Sequence, residues 1–167
     1  MASYPGLAAP SSEYLRLVKD ASLGMLALSD RLRQHWAAHA GAVGLTSAQA
    51  KLLISLVPGE AVPMRELAGR LDYDASNLTS LADRLQARGA VTRRPAAGDR
   101  RVKALSLTPD GERLRDRFWR QMVEDPGPLA PLNEAEIRAL TTLLARLEPP
   151  RGHRFLASNL INRLKRR

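Results

Sequence analysis

A polar-faced helix over residues 76–88 stops at Gly89 and runs directly into VTRRPAAGDRRVKALSLT. That second piece reads as a two-stranded hairpin. Pro95 and Gly98 punctuate its tip, and Leu105 and Leu107 alternate with Ala104 and Ser106 in the return strand. At helical spacing Leu78, Leu81, Ala82 and Leu85 share one face, which is expected to pack on the helices before it. The opposite face carries Ser76, Ser80 and Asp83, flanked by Asn77, Thr79 and Arg84. Short hydroxyl and amide side chains reach base edges in the DNA major groove, and Asn can pair bidentately with adenine. Arginines in a thin hairpin suit the narrower, more negative minor groove. Alone, the polar face reads more readily as a capped, solvated surface. The arginine hairpin beside it turns the reading towards DNA. Asp83 would repel phosphates, so only the N-terminal half of the helix is expected to enter the groove.

This is the layout of a winged helix-turn-helix, mainly α with a small β-hairpin wing. The preceding segments fit. Ser12 is expected to cap a first helix over 12–40, carrying Leu15, Val18, Met25, Leu28 and Leu32, with Gly41 and Gly44 as stops. Thr46 and Gln49 have the spacing of a capping box and open a second helix with Leu52, Leu53 and Leu56. Pro63 starts a third with Leu67, Ala68 and Leu71 inward, and Asp74 caps the fourth.

Charge and composition narrow the function. A formal net charge of +9 on 167 residues favours a polyanionic partner. The absence of cysteine excludes disulfides, Cys-based zinc sites and thiol redox sensing. The stretch over 1–11 has neither a basic start nor a long apolar run, so it reads as a disordered lead-in and not a signal or anchor, and the protein as cytoplasmic. No nucleotide-binding or hydrolase motif is present, which argues against an enzyme.

By its motifs the chain resembles the MarR (multiple antibiotic resistance regulator) transcription factors. Residues Asp99 to Thr108 match the wing signature of that family, D-x-R followed by three residues and an apolar-x-Leu-Thr. Leu45-Thr46, Glu66-Leu67-Ala68, Asp83-Arg84-Leu85, Gly89 and Thr108-Pro109-Asp110-Gly111 also fit it. The likeness spans roughly residues 12–147, with 46–108 as the winged helix and 12–40 and 109–148 as dimerisation helices. It implies a dimer with the fourth helix in the major groove and the wing in the minor groove. Arg101 would be the minor-groove arginine, and Asp99 would brace the wing through a nearby arginine. Arg93, Arg94 and Arg100 are assigned to phosphates on charge alone.

The remainder reads as a dimer frame. Thr108 caps and Pro109 begins a helix with Leu114, Phe118 and Met122. Asn133, with Glu136 three residues on, opens another with Ile137, Leu140, Leu144 and Leu147. The apolar stripes of the first, fifth and sixth helices are expected to need a symmetry mate. The basic segment 149–167, possible as a helix through Phe155 and Leu160, is read as a solubilising tail.

His35 and His39 have the i, i+4 spacing of paired zinc ligands, but no cysteine and no acidic residue close in sequence supports them. They are read as a structural or exposed pair, with no metal expected. Trp36 and Trp119 are read chiefly as core. With His35 and His39 they are also the candidate lining of an effector cleft, for an anionic or aromatic small molecule. The functional expectation is a dimeric, sequence-specific DNA-binding regulator: a repressor that a small molecule releases from a near-palindromic operator, without a bound cofactor. The alternatives are an architectural DNA-binding protein without an effector and a winged-helix protein-interaction module.

Overall fold

The computed structural model describes residues 10–96 and 99–147, with side chains at 96 and 99–102 outside the description. The lead-in up to residue 9 and the tail from 148 onwards also lie outside the described residues. The described residues form six α-helices, a short 3-10 turn (Gly127–Leu129) and a three-stranded sheet. The helices are α1 (Ser12–Ala42), α2 (Ser47–Ser55), α3 (Met64–Leu71), α4 (Ala75–Ala87), α5 (Pro109–Glu124) and α6 (Glu134–Arg146). The strands are β1 (Val62–Pro63), β2 (Val91–Ala96) and β3 (Asp99–Leu107), in the order β1-β3-β2. Among the described residues, no helix is long and apolar enough to cross a membrane.

Local chemistry sets most boundaries. Ser11, not Ser12, caps α1, its hydroxyl accepting from the Tyr14 amide at 3.1 Å. Gly41 lies inside α1, and the chain turns only at Gly44, where φ is +70°. Thr46 and Gln49 form the full capping box of α2. Asn133 and Glu136 do the same for α6. These reciprocal bonds satisfy amides that the first helical turn leaves without partners.

The sheet departs from the expected simple hairpin. Val62 pairs with Leu105 and Pro63 with Ala104, so β3 is a central strand. Strands β2 and β3 run antiparallel from Val91↔Leu107 to Arg94↔Ala104, with a register shift after Pro95. Flanked by two strands and touched by α3 and α5, β3 is covered throughout its last four residues. Ala104 and Ser106 are buried along with Leu105 and Leu107, and the expected in–out alternation is lost.

The core joins Leu52, Leu53 and Leu56 of the α2 segment to Leu67, Leu71, Leu78, Leu85, Leu105 and Phe118. Each such side chain contributes about 1.5–3 kcal/mol on burial. Helix α5 turns part of its apolar stripe inward. Its Leu114 and Phe118 are buried within the chain against α1 and α2, while Val123 at its end stays exposed. Among the described residues, α1 and α6 carry most of the exposed large apolar side chains.

Helix α5 starts unusually close to the backbone just before β2. A Cβ at Gly111 would stand 1.8 Å from the Ala90 carbonyl oxygen, an atom already held by the Thr108 amide at 3.1 Å. Backbone on both sides cannot yield cheaply. Gly111→Ala is expected to cost about 1–3 kcal/mol, read as a lower urea midpoint at unchanged slope. An unchanged midpoint would mean that the helix start can slide.

Candidate nucleic-acid interface

Helix α4 presents the expected two faces. Leu78, Leu81, Ala82 and Leu85 are buried, while Ser76, Asn77, Thr79, Ser80, Asp83 and Arg84 are exposed. Asp74 holds the start of the helix. Its Oδ1 accepts from the Asn77 amide and from the Ser76 hydroxyl, both at 2.7 Å. Thr79 donates its hydroxyl to the Ala75 carbonyl at 2.7 Å. Ser76 and Thr79 therefore meet a ligand mainly as acceptors. Asn77 and Ser80 make no side-chain hydrogen bond among the described residues, and they keep full donor and acceptor capacity.

The Ser76 hydroxyl, then the Asn77 amide, holds the Asp74 carboxyl below its ordinary value of 3.8. A carboxylate depressed in the folded state stabilises the fold above its unfolded value. That contribution fades as pH falls below about 3.8 and through the lowered folded value. Asp74→Asn, which caps without titrating, is expected to flatten this acid limb of the unfolding free energy. An identical limb in the two proteins would assign it to other carboxylates.

The hairpin is docked on α4 by Arg93. Its Nη2 lies 2.6 Å from Asp83 Oδ1, and its Nη1 donates to Gln86 Oε1 at 2.8 Å. Arg93, expected on phosphates, therefore braces β2 against α4 in the free protein. Asp83, expected only as a repulsive charge, is paired. Arg94 and Arg84 are exposed. The side chains of Asp99, Arg100 and Arg101, expected to brace the wing and contact DNA, lie outside the described residues. Arg88 was not anticipated as a functional side chain. Its guanidinium donates to the Val43 carbonyl at 2.7 Å and to the Gly44 carbonyl, tying the end of α4 to the end of α1. A cation over helix-terminal carbonyls is favourable for both hydrogen bonding and the helix dipole.

A cleft of about 1280 Å³ opens between α1, α2 and α6, lined by Met25, Leu32, Trp36, Lys51, Tyr73 and Leu144 among others. Lys51 donates to the Leu71 carbonyl at 3.1 Å and stands 5.0 Å from the Tyr73 ring centroid. Burial raises the Tyr73 hydroxyl above its ordinary pKa. Of the four residues expected around an effector, only Trp36 lines this cleft. Trp119 instead stacks edge-on against Phe118, with centroids 5.9 Å apart. His35 and His39 meet Asp125, the residue that ends α5: His39 Nε2 is 3.2 Å from Oδ2, and His35 Nε2 is 2.9 Å from the Asp125 carbonyl oxygen. Asp125 is distant in sequence, so sequence proximity could not reveal it.

Comparison with known proteins places this geometry. A model described as MarR family matches residues 43–102. The HTH-type transcriptional repressor MdtR of Bacillus subtilis (strain 168) is 32% identical over 97 residues, 58% of this chain and 63% of that protein. The chain thus spans less than two thirds of this relative's length. A crystal structure of a probable transcriptional regulator from Pseudomonas aeruginosa is 30% identical, with a TM-score of 0.60, covering 77% of this chain and 98% of that one. A mutant MarR from E. coli complexed with operator DNA superposes with a TM-score of 0.63 at 23% identity, over 83% of this chain and all (100%) of that one. That last likeness concerns the fold.

Proposed function

This chain belongs to the MarR family, and on that premise we propose that it is a homodimeric, sequence-specific DNA-binding transcription regulator of the cytoplasm, not an enzyme. The observation that carries the reading is the Arg93 bridge to Asp83 and Gln86. It fixes an arginine-bearing hairpin to the C-terminal half of a helix whose N-terminal half exposes Asn77 and Ser80 and whose other side is core. Helix α4 reads bases in the major groove, while Arg101 enters the minor groove and Arg94 and Arg100 meet phosphates. Two copies read a near-palindrome with half-sites about 10 base pairs apart. The name of MdtR, a repressor, supports repression as the outcome.

Footprinting on the DNA upstream of the protein's own coding region, followed by gel shifts, tests this. Asn77 or Ser80 substitutions change the preferred base, whereas Arg94→Ala weakens all sequences alike. Arg101→Ala weakens operator binding by about 1–3 kcal/mol. Equal affinity for random and operator DNA would support an architectural protein instead. No DNA binding at all would leave a protein-interaction module.

Release from DNA is assigned to an anionic or aromatic small molecule in the α1–α2–α6 cleft, where the Lys51 ammonium and the Trp36 and Tyr73 rings converge. The ligand acts by preferring a spacing of the two α4 helices that does not fit the operator. A preference of about 100-fold, roughly 2.7 kcal/mol, is enough to release it. A thermal-shift screen of aromatic acids, with gel shifts on the hits, looks for compounds that do both. Loss of the response in Lys51→Met is the expected control, and a retained response would move the site elsewhere.

A further inference from the structure

We propose that His35, His39 and Asp125 form a binding site for a divalent transition metal ion of the zinc class, clamping α1 to the end of α5. One donor atom from each of the three lies within 4.8 Å of the others. The two histidines stand one turn apart on α1, and their rings meet edge-on with centroids 4.4 Å apart. Both are largely buried, while Asp125 remains open to solvent.

The spacing that pairs these groups by hydrogen bonding also lies near that of donors around a metal. With zinc–donor distances of about 2.0–2.1 Å, donors at adjacent tetrahedral corners stand roughly 3.4 Å apart. His39 Nε2 and Asp125 Oδ2 are 3.2 Å apart, and His35 Nδ1 is 4.0 Å from the same oxygen. Closing the set draws the His35 donor inward, to the roughly 3.4 Å edge, from within 4.8 Å of the other two.

The outer partners are also those that metal ligands have. His35 Nε2 lies 2.9 Å from the Asp125 carbonyl oxygen, which can only accept. Nε2 therefore carries the proton and Nδ1 keeps its lone pair for the metal, the arrangement that fixes ring and tautomer in metal-bound histidines. Asp125 Oδ1 accepts from the Gly127 amide at 3.1 Å, which leaves Oδ2 for the ion. Gly127 has φ +54°, and a Cβ there would stand 2.5 Å from the His35 ring. The turn is thus closed tightly on the imidazole that it helps to present.

Two imidazoles and one carboxylate are borderline ligands that favour zinc and its first-row neighbours over magnesium or calcium. Three protein ligands leave a fourth position for water. The inference stands apart from the cleft, because neither histidine nor Asp125 lines it.

Titration of the untagged full chain with zinc chloride against a chromophoric chelator tests the site. The expected result is one ion per chain and a higher melting temperature. His39→Gln and Asp125→Asn should each weaken binding at least about tenfold. His153→Gln, which removes the one other histidine, should leave it unchanged. Cobalt(II) provides a reading on the unaltered protein, should either variant fold poorly: the intense visible bands of a low-symmetry, four-coordinate ion are expected. Binding unaffected by either variant, binding lost in His153→Gln, or a cobalt spectrum like that of the hydrated ion would overturn the proposal.

Discussion

Phe118→Ala is expected to remove about 3–5 kcal/mol of stability, a large share of the 5–15 kcal/mol that holds a domain together. Phe118 is fully buried on α5, and its ring meets Trp36 of α1 edge-on with centroids 4.7 Å apart. Trp119 also meets it edge-on, with centroids 5.9 Å apart. Trp36 in turn donates its indole N–H to the Ser47 carbonyl at the start of α2. The Phe118 ring therefore ties α5 to the long helix α1 and, through Trp36, to the start of α2. Truncation leaves a cavity lined by aromatic faces that cannot collapse onto it without moving helices. Urea unfolding of the single variant measures the loss. A double-mutant cycle with Trp36→Leu should return a coupling of about 0.5–1.5 kcal/mol, the scale of an aromatic pair. A loss below about 1 kcal/mol, or no coupling, would mean that the frame is held elsewhere.

What the sequence made legible was local chemistry. The Thr46–Gln49 and Asn133–Glu136 boxes, the Asp74 cap and the Thr108–Pro109 start depend on residues within a single helical turn. Periodicity also identified the buried leucines of α4, since one face of one helix has to meet the core. Choices between equivalent neighbours were less legible: Ser11 and Ser12 carry the same capping hydroxyl, and only the chain path decides between them. Pairings distant in sequence were the least legible. Two residues, Val62 and Pro63, have no strand pattern of their own, yet they make β3 central and bury Ala104 and Ser106.

The candidate site divides along the same line. Exposure of Ser76, Asn77, Thr79 and Ser80 followed from the leucines opposite them. The partners of Arg88, Arg93 and the histidines did not, because each lies on another element. Asp83 shows how context changes a sign. Read alone it is a charge to keep from DNA; paired with Arg93 it becomes the hinge pin between helix and hairpin. The four residues expected around an effector are separated for a related reason. His35, Trp36 and His39 lie within one turn of α1, yet of these only Trp36 reaches the cleft.

Leu26→Glu combined with Leu147→Glu is expected to weaken self-association at least about 100-fold, roughly 2.7 kcal/mol, and to abolish tight operator binding. Helix α1 has 31 residues, of which only Ala40 is buried, and α6 has no buried residue. Leu26 stands 66% exposed and Leu147 64%, amid Leu15, Val18, Met25, Leu143 and Leu144 in similar condition. Scattered exposed leucines are ordinary, but two adjoining helices lined with them make a patch larger than soluble monomers tolerate. A second copy related by twofold symmetry would cover both stripes at once and close over the rim of the cleft that Met25, Leu144 and Leu147 also line, each copy offering the surface that the other needs. In the isolated chain a glutamate at either position meets water, so the fold itself should survive. In the dimer each glutamate, repeated by symmetry, would be desolvated without a partner charge. Losing the dimer then halves the number of α4 helices that meet the operator together, and the affinity gained by linking two half-sites disappears. Sedimentation at micromolar concentration should show a monomer with an unchanged helical circular dichroism spectrum, and gel shifts should show only weak, strongly salt-dependent binding. A variant that remains dimeric and binds the operator as tightly as the parent would place the interface on another surface.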